Sequence, residues 1–392
     1  RYRYGNSPER FGDYSQYASF ESLLNNSMSS VSSAHFRMDA RLEGTDTYPV
    51  EITADSIRPG VTYYDPSGHV LVVYRVDRIT GDIYMMDGHP DGTVTLKTFS
   101  YRMRRGSRRT GGGFRAWRQY HVVPFEGPDG AFMISRELNR DSEHYSDIDQ
   151  FRREYAIAGE QVSFHEYVKA QVQDDGPLIR PLQGLELRLD RICQRLDARG
   201  WQVDAAQQEG WTVAPQDGKT PRKVFWGTTP WHQRNTAAAD IRLRADVAEL
   251  AIFVREVLDL SHTNSARLAF AGSTGYLEAA LVAEFERVAS RPECRPVYVN
   301  SQGEHVQLEL RDVLARMEQI SFDPYHCPER RWGAAPDSIE LSACVEDEPR
   351  TVSYARQKSL RRLVRMHQRA PAPERNSLSS EAGRRAYLVL GM

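Results

Sequence analysis

The chain has 392 residues, 40% hydrophobic and 27% charged, with 27 glycines and 20 prolines. That is enough to bury a sizeable core in two domains, and too apolar for a disordered chain. Lys and Arg number 51 against 53 Asp and Glu, a net charge of -2, which excludes a nucleic-acid binder held by bulk positive charge and leaves any basic function to be local.

No unbroken apolar run is longer than Val70 to Tyr74 or Leu250 to Val254, far below the roughly 20 residues that span a bilayer, so a soluble chain with no membrane span is expected. The first residue is Arg1 rather than Met, and an upstream segment, with a signal peptide as one candidate, is expected to have been removed. Cys193, Cys294, Cys327 and Cys344 show no CxxC spacing and no nearby paired His, which argues against zinc. Two readings of them stay open: a small Cys327 to Cys344 disulfide loop in an oxidising compartment, or four buried thiols in a reducing one.

In chain order, Phe20, Leu23, Leu24, Val31, Ala34 and Met38 recur at mostly helical spacing. Asn25-Asn26-Ser27 interrupts them with cap residues, which predicts a short helix, a cap and a second helix from about Ser27. Strand signals follow at Val61 to Tyr64, Val70 to Val76, Asp82 to Met86 and Thr93 to Phe99, separated by Pro, Gly and Asp turns. An α+β domain with a helix on an antiparallel meander is expected over 1–125. From Arg102 to Arg118, seven arginines and Gly111-Gly112-Gly113 predict a loop.

Over 126–392 a mostly α-helical domain is expected. Apolar stripes run through Leu182, Leu185, Leu189, Ile192 and Leu196, through Ile241 to Val257, and through Tyr276 to Val288. A hairpin is predicted over 296–310, turning at Gln302-Gly303, and a basic helix over Ser353 to Arg369. No internal repeat occurs.

The chemistry-bearing stretch is Gly68-His69-Val70, which opens one strand, and Asp87-Gly88-His89, which closes the next. Hairpin pairing would set Asp87 beside His69. A carboxylate beside an imidazole fixes its tautomer and supports its cation, which is the base-and-orienter half of a nucleophilic triad. With Arg58-Pro59-Gly60 as a turn before the first strand, this order of motifs resembles the papain-like cell-wall amidohydrolases of the CHAP and NlpC type, over about residues 20–100.

The resemblance implies a papain-like helix-plus-sheet fold, cleavage of an amide in peptide or peptidoglycan, no cofactor and no metal, and a secreted or periplasmic location. By the same resemblance His69 is the base and Asp87, or alternatively His89, the third member. The nucleophile falls on Ser27, with Ser29 and Ser30 as neighbours, because no cysteine precedes Cys193. A hydroxyl needs far more base assistance than a thiol. A serine nucleophile, a site that binds without cutting, and a serine standing where a cysteine was replaced all remain open.

Other features read more plainly. The Arg102 to Arg118 stretch, with Tyr101, Phe114 and Trp117 interleaved, is the best local anion site and the basis of an alternative anion or nucleic-acid reading. Against it stands a chain-wide preference for Arg over Lys. Asp323 to Gly333, with His326 and Cys327, has metal-ligand residue types but the prolines and glycine of a structural turn. Phe225-Trp226-Gly227 and Pro230-Trp231-His232 suit a groove lining or a buried junction equally. No GxGxxG, GxxxxGK or HExxH motif is present.

Overall fold

The computed structural model describes residues 18–24, 39, 41–42, 46–66, 69–88, 94–101, 103–124, 132–174, 176, 178–211, 229–344 and 389–390. The chain divides into two compact units, Arg1–Gly88 with Leu96–Pro177, and His89–Thr95 with Leu178–Met392. Both helices and antiparallel sheets are present, so the fold class is α+β.

The first unit is built on a six-stranded sheet. Its strands are β1 (Thr47–Pro49), β2 (Thr62–Tyr64), β3 (Val70–Val76), β4 (Ile83–Gly88), β5 (Val94–Thr98) and β6 (Gly113–Trp117), in the order β1-β6-β2-β3-β4-β5. Alternation puts Tyr63, Leu71, Val73, Ile83, Met85 and Phe114 in one buried cluster, and the register pairs Tyr63 with both Leu71 and Phe114. These are the β-branched and aromatic side chains that pack well on a pleated surface. The four strands expected between residues 61 and 99 therefore occur.

The predicted loop at 102–118 does not hold throughout: its last part is β6, inserted between β1 and β2. Arg115, a charged residue on an interior strand, is buried there because its Nε donates to Thr47 Oγ1 (2.9 Å) and its Nη2 to Thr47 O (2.7 Å). Gly113, at φ +90°, gives way to Gln150, whose Oε1 would collide with any Cβ at that position. Gln150 is itself buried and bridges strands: it accepts from Phe114 N (2.6 Å) and donates to Val50 O and Phe114 O (both 2.7 Å).

Because Gln150 ties the sheet to residues well past 125, the first unit continues to Pro177 instead of ending at the expected boundary of 125. It also carries the hairpins β7 (Tyr120–Pro124) with β8 (Phe132–Arg136) and β9 (Tyr155–Ile157) with β10 (Glu160–Val162). Helix α1 (Phe164–Gln171) opens on a capping box between Ser163 and Glu166, which satisfies otherwise orphan N–H groups. It contributes Phe164 and Val168 to the sheet's core. Among the described residues, a helix packed on the sheet core is thus one that follows the strands. Residues 20–24 are helical as expected, while the second helix expected from Ser27 lies outside the described residues.

The second unit is mostly helical, as the apolar stripes predict: α2 (Pro181–Gln208), α3 (Pro230–Arg234), α4 (Ala237–His262), α5 (Thr274–Ala289), α6 (Leu310–Ala315) and α7 (Pro328–Arg331). Leu185, Leu189, Ile192 and Leu196 of α2 share a core with Val247, Leu250 and Val254 of α4 and with Leu277, Leu281 and Phe285 of α5. Gly184 lets α2 approach α4, since a Cβ there would strike the Phe253 ring. The hairpin of β11 (Val297–Val299) and β12 (His305–Gln307) turns through Gly303 at φ +86°. The basic helix expected at Ser353 to Arg369 lies outside the described residues.

Two disulfides close this unit, Cys193–Cys294 and Cys327–Cys344, leaving no free cysteine. Of the two open readings of the cysteines, the structure therefore takes the oxidised one, and pairs all four. Among the described residues no helix is long and apolar enough to cross a membrane.

Candidate functional site

The antiparallel pairing of β3 with β4 matches Val72 to Met86 and Val73 to Met85. Counting outward on the alternation that buries Leu71 and Met85, His69 and Asp87 emerge on the same, core-side face at the end of the two strands. There His69 Nδ1 lies 3.3 Å from Asp87 Oδ2. The imidazole is half open to solvent, its side chain 52% exposed, while the Asp87 side chain is 2% exposed. A buried carboxylate behind an accessible imidazole is the arrangement in which one group orients and the other meets a reactant.

The same Asp87 oxygen receives a second cation. Lys97 Nζ on β5 is 2.6 Å from Asp87 Oδ2, so the buried carboxylate faces Lys97 as well as His69. Burial of a charge requires such partners. The sequence reading missed Lys97 because its approach depends on how β5 lies beside β4, which no local pattern encodes. The alternating signal at Thr93 to Phe99 placed the strand without its register.

Ser27, Ser29, Ser30 and His89 lie outside the described residues, so the structure brings together His69 and Asp87 from the expected site and says nothing of the others. The Arg102 to Arg118 stretch changes its meaning. Arg115 is buried against Thr47, Arg118 Nε donates to Glu137 O (2.6 Å), and Arg105 Nη1 donates to Arg152 O (2.8 Å) while stacking on Tyr155 and Phe164. These three guanidiniums serve the fold.

The polar segment at 323–333 is likewise structural. Asp323 Oδ1 accepts from Trp231 Nε1 (3.0 Å) and Tyr325 N (3.1 Å). His326 Nδ1 meets Ser321 Oγ at 2.7 Å, and Cys327 is consumed by its disulfide. Cys327, Cys344 and Glu329 cluster closely, but a disulfide sulfur is no thiolate ligand, and Glu329 accepts from Ser301 N and Oγ, both at 2.7 Å. Trp231 is buried, which makes Pro230-Trp231-His232 a packing element; Phe225-Trp226-Gly227 lies outside the described residues.

A second histidine of the first unit, His165 on α1, was not singled out by sequence. Its Nε2 contacts Met103 O at 2.7 Å, and its ring packs on Phe99 at 5.1 Å. Burial holds its pKa below the ordinary 6.5, because the charged ring loses its hydration. The unfolded chain takes up this proton at the ordinary value and the folded chain resists it. Stability from the neutral ring is therefore complete above about 6.5 and is lost as pH falls toward the lowered folded value. Urea titrations of the parent and of His165→Gln between pH 7.5 and 5 should show a steeper decline in the parent; parallel curves would refute the assignment.

Comparison of the chain with family models, with curated proteins and with solved structures finds no match.

Proposed function

We propose that the first unit is a papain-like amide-bond hydrolase acting on peptide, cell-wall peptide in particular. The observation that supports it is the 3.3 Å approach of the exposed His69 imidazole to the buried Asp87 carboxylate, at the end of adjacent antiparallel strands. In this reading Ser27, or a cysteine in its place, attacks the amide carbonyl, His69 takes the nucleophile's proton and returns it to the leaving amine, and Asp87 holds the imidazole in position. Neither a cofactor nor a metal is called on. The two disulfides support a secreted or periplasmic location, where such bonds persist.

The test is digestion of purified peptidoglycan and of simple peptides by the parent, by Ser27→Cys and by His69→Ala. Ser27→Cys is expected to raise the rate, and His69→Ala to lower it by about 10²–10⁴-fold, the ordinary worth of a general base. Equal rates in the parent and His69→Ala, or no cleavage even by Ser27→Cys, would remove the hydrolase reading. A non-catalytic binding module is favoured by one specific observation, the Lys97 ammonium 2.6 Å from the same Asp87 oxygen that His69 faces. It predicts that every variant co-sediments with peptidoglycan and none cuts it.

A further inference from the structure

The sheet has a second end. β6 runs from Gly113, opposite Tyr64, to Trp117, opposite Thr47, so Trp117 and Gly60 stand at the far end of the strands from His69. A groove of about 470 Å³ opens there, within the range of small-ligand sites. Trp117 lines it with 55% of its surface exposed, yet its orientation is fixed, because its Nε1 donates to Gly60 O at 3.0 Å. A large aromatic face held in place and left bare is a preorganised stacking platform.

The charged part of the lining is mainly anionic. Glu137, Asp141 and Glu143 face a single guanidinium, that of Arg58. Glu143 is engaged: Arg58 Nη2 lies 3.5 Å and His144 Nε2 3.4 Å from its carboxylate, and Asp141 lies 3.8 Å from Arg140 Nε. Glu137 differs. Its backbone oxygen is pinned by Arg118 Nε at 2.6 Å, and among the described residues its carboxylate meets only the Ser142 hydroxyl, at 3.4 Å. A fixed tryptophan face and a half-buried carboxylate with no cationic partner among the described residues are what a planar guanidinium needs, stacking through its face and bonding through its fork.

We propose that this groove binds an arginine side chain presented on an extended peptide, with the guanidinium stacked on Trp117 and paired with Glu137. The site is separate from His69 and stands whether or not the first unit cuts amides. Its neighbours set the occupant: Glu143 and Asp141 already face Arg58 and Arg140, and the carboxylate left over, Glu137, favours a positive ligand.

The experiment is fluorescence anisotropy of the full chain with a labelled Gly-Ser-Arg-Ser-Gly amide, its citrulline counterpart, and free argininamide as competitor. Citrulline keeps the shape of arginine without its charge. The arginine peptide is expected to bind at least about tenfold more tightly than the citrulline peptide, and to weaken as salt rises. Glu137→Gln, which is isosteric, and Trp117→Ala should each cost about tenfold, with Trp117→Tyr restoring part of the loss. Equal binding of both peptides, no saturable binding, or unchanged affinity in Glu137→Gln would overturn the proposal. Argininamide competing as well as the peptide would overturn the peptide occupant and assign the groove to the free cation.

Discussion

Replacing Arg199 by Met is expected to destabilise the second unit by about 3–5 kcal/mol, the usual cost of leaving one partner of a buried ion pair alone. Arg199 and Asp240 are both buried, joined by Arg199 Nε to Asp240 Oδ1 at 2.7 Å. The guanidinium also donates through Nη2 to Arg331 O (2.7 Å) and Ser321 O (3.1 Å), and lies over the Trp332 ring at 4.9 Å. It thereby ties α2 to α4 and to the segment that carries α7. Methionine fills much of the volume but supplies no donor, so among the described residues Asp240 keeps the Thr236 hydroxyl at 3.2 Å as its hydrogen-bond partner, with the Arg331 charge nearby, and two carbonyls lose a bond. The double change Arg199→Met with Asp240→Leu removes the orphaned charge and should recover most of the loss. Urea midpoints of parent, single and double variants decide it: a single variant within about 1 kcal/mol of the parent, the range of surface pairs, would refute the account.

Arg331 shows the electrostatic cost of this cluster. It is buried, and desolvation followed by the nearby Arg199 charge presses its pKa down to about 9. Two guanidiniums share one interior because Asp240 and Asp323 lie close enough to offset them. Such an interior is held together by its polar geometry, since each charge is affordable only while its partner stays in place.

What local pattern encodes and what it does not is visible residue by residue. Strands β3 and β4 were legible because their apolar, β-rich runs are bounded by Asp, Pro, Gly and Thr turns, and hairpin pairing of the two runs put Asp87 beside His69. The helices α2, α4 and α5 were legible from their apolar stripes. β6 was not, because Gly111-Gly112-Gly113 and the surrounding arginines have loop composition, and the strand exists only through partners far away in sequence, Thr47 for Arg115 and Gln150 for Phe114. Lys97 was missed for the same reason. Arg199 reads in sequence as one more exposed charge on a helix, and nothing local signals that Asp240, 41 positions on, will meet it in the interior. Non-local pairing is what the chain pays loop entropy to reach, and short windows do not contain it.

Removing the Cys193–Cys294 disulfide is expected to cost more than removing Cys327–Cys344. The first closes a sequence separation of 101 residues, the second one of 17. On the chain-entropy account, crosslinks of those lengths restrict the unfolded ensemble by about 4.7 and about 3 kcal/mol respectively. The longer bridge joins α2 to the 3-10 turn Pro292–Cys294 that follows α5, and both of its cysteines sit in the buried core with Leu189, Ile192 and Val288. Changing Cys193 and Cys294 together to Ala therefore also trims packed sulfur from that core, which adds to the loss. Cys344 is only partly buried, so its pair should be reduced first by a graded thiol reagent, and alkylation with mass measurement reads the order directly. The expected result is early labelling of Cys327 and Cys344 with the second unit still folded, then labelling of Cys193 and Cys294 together with cooperative unfolding. Thiols at all four positions in oxidised, freshly purified protein would refute both bridges, and equal stability losses for the two double variants would refute the dependence on separation.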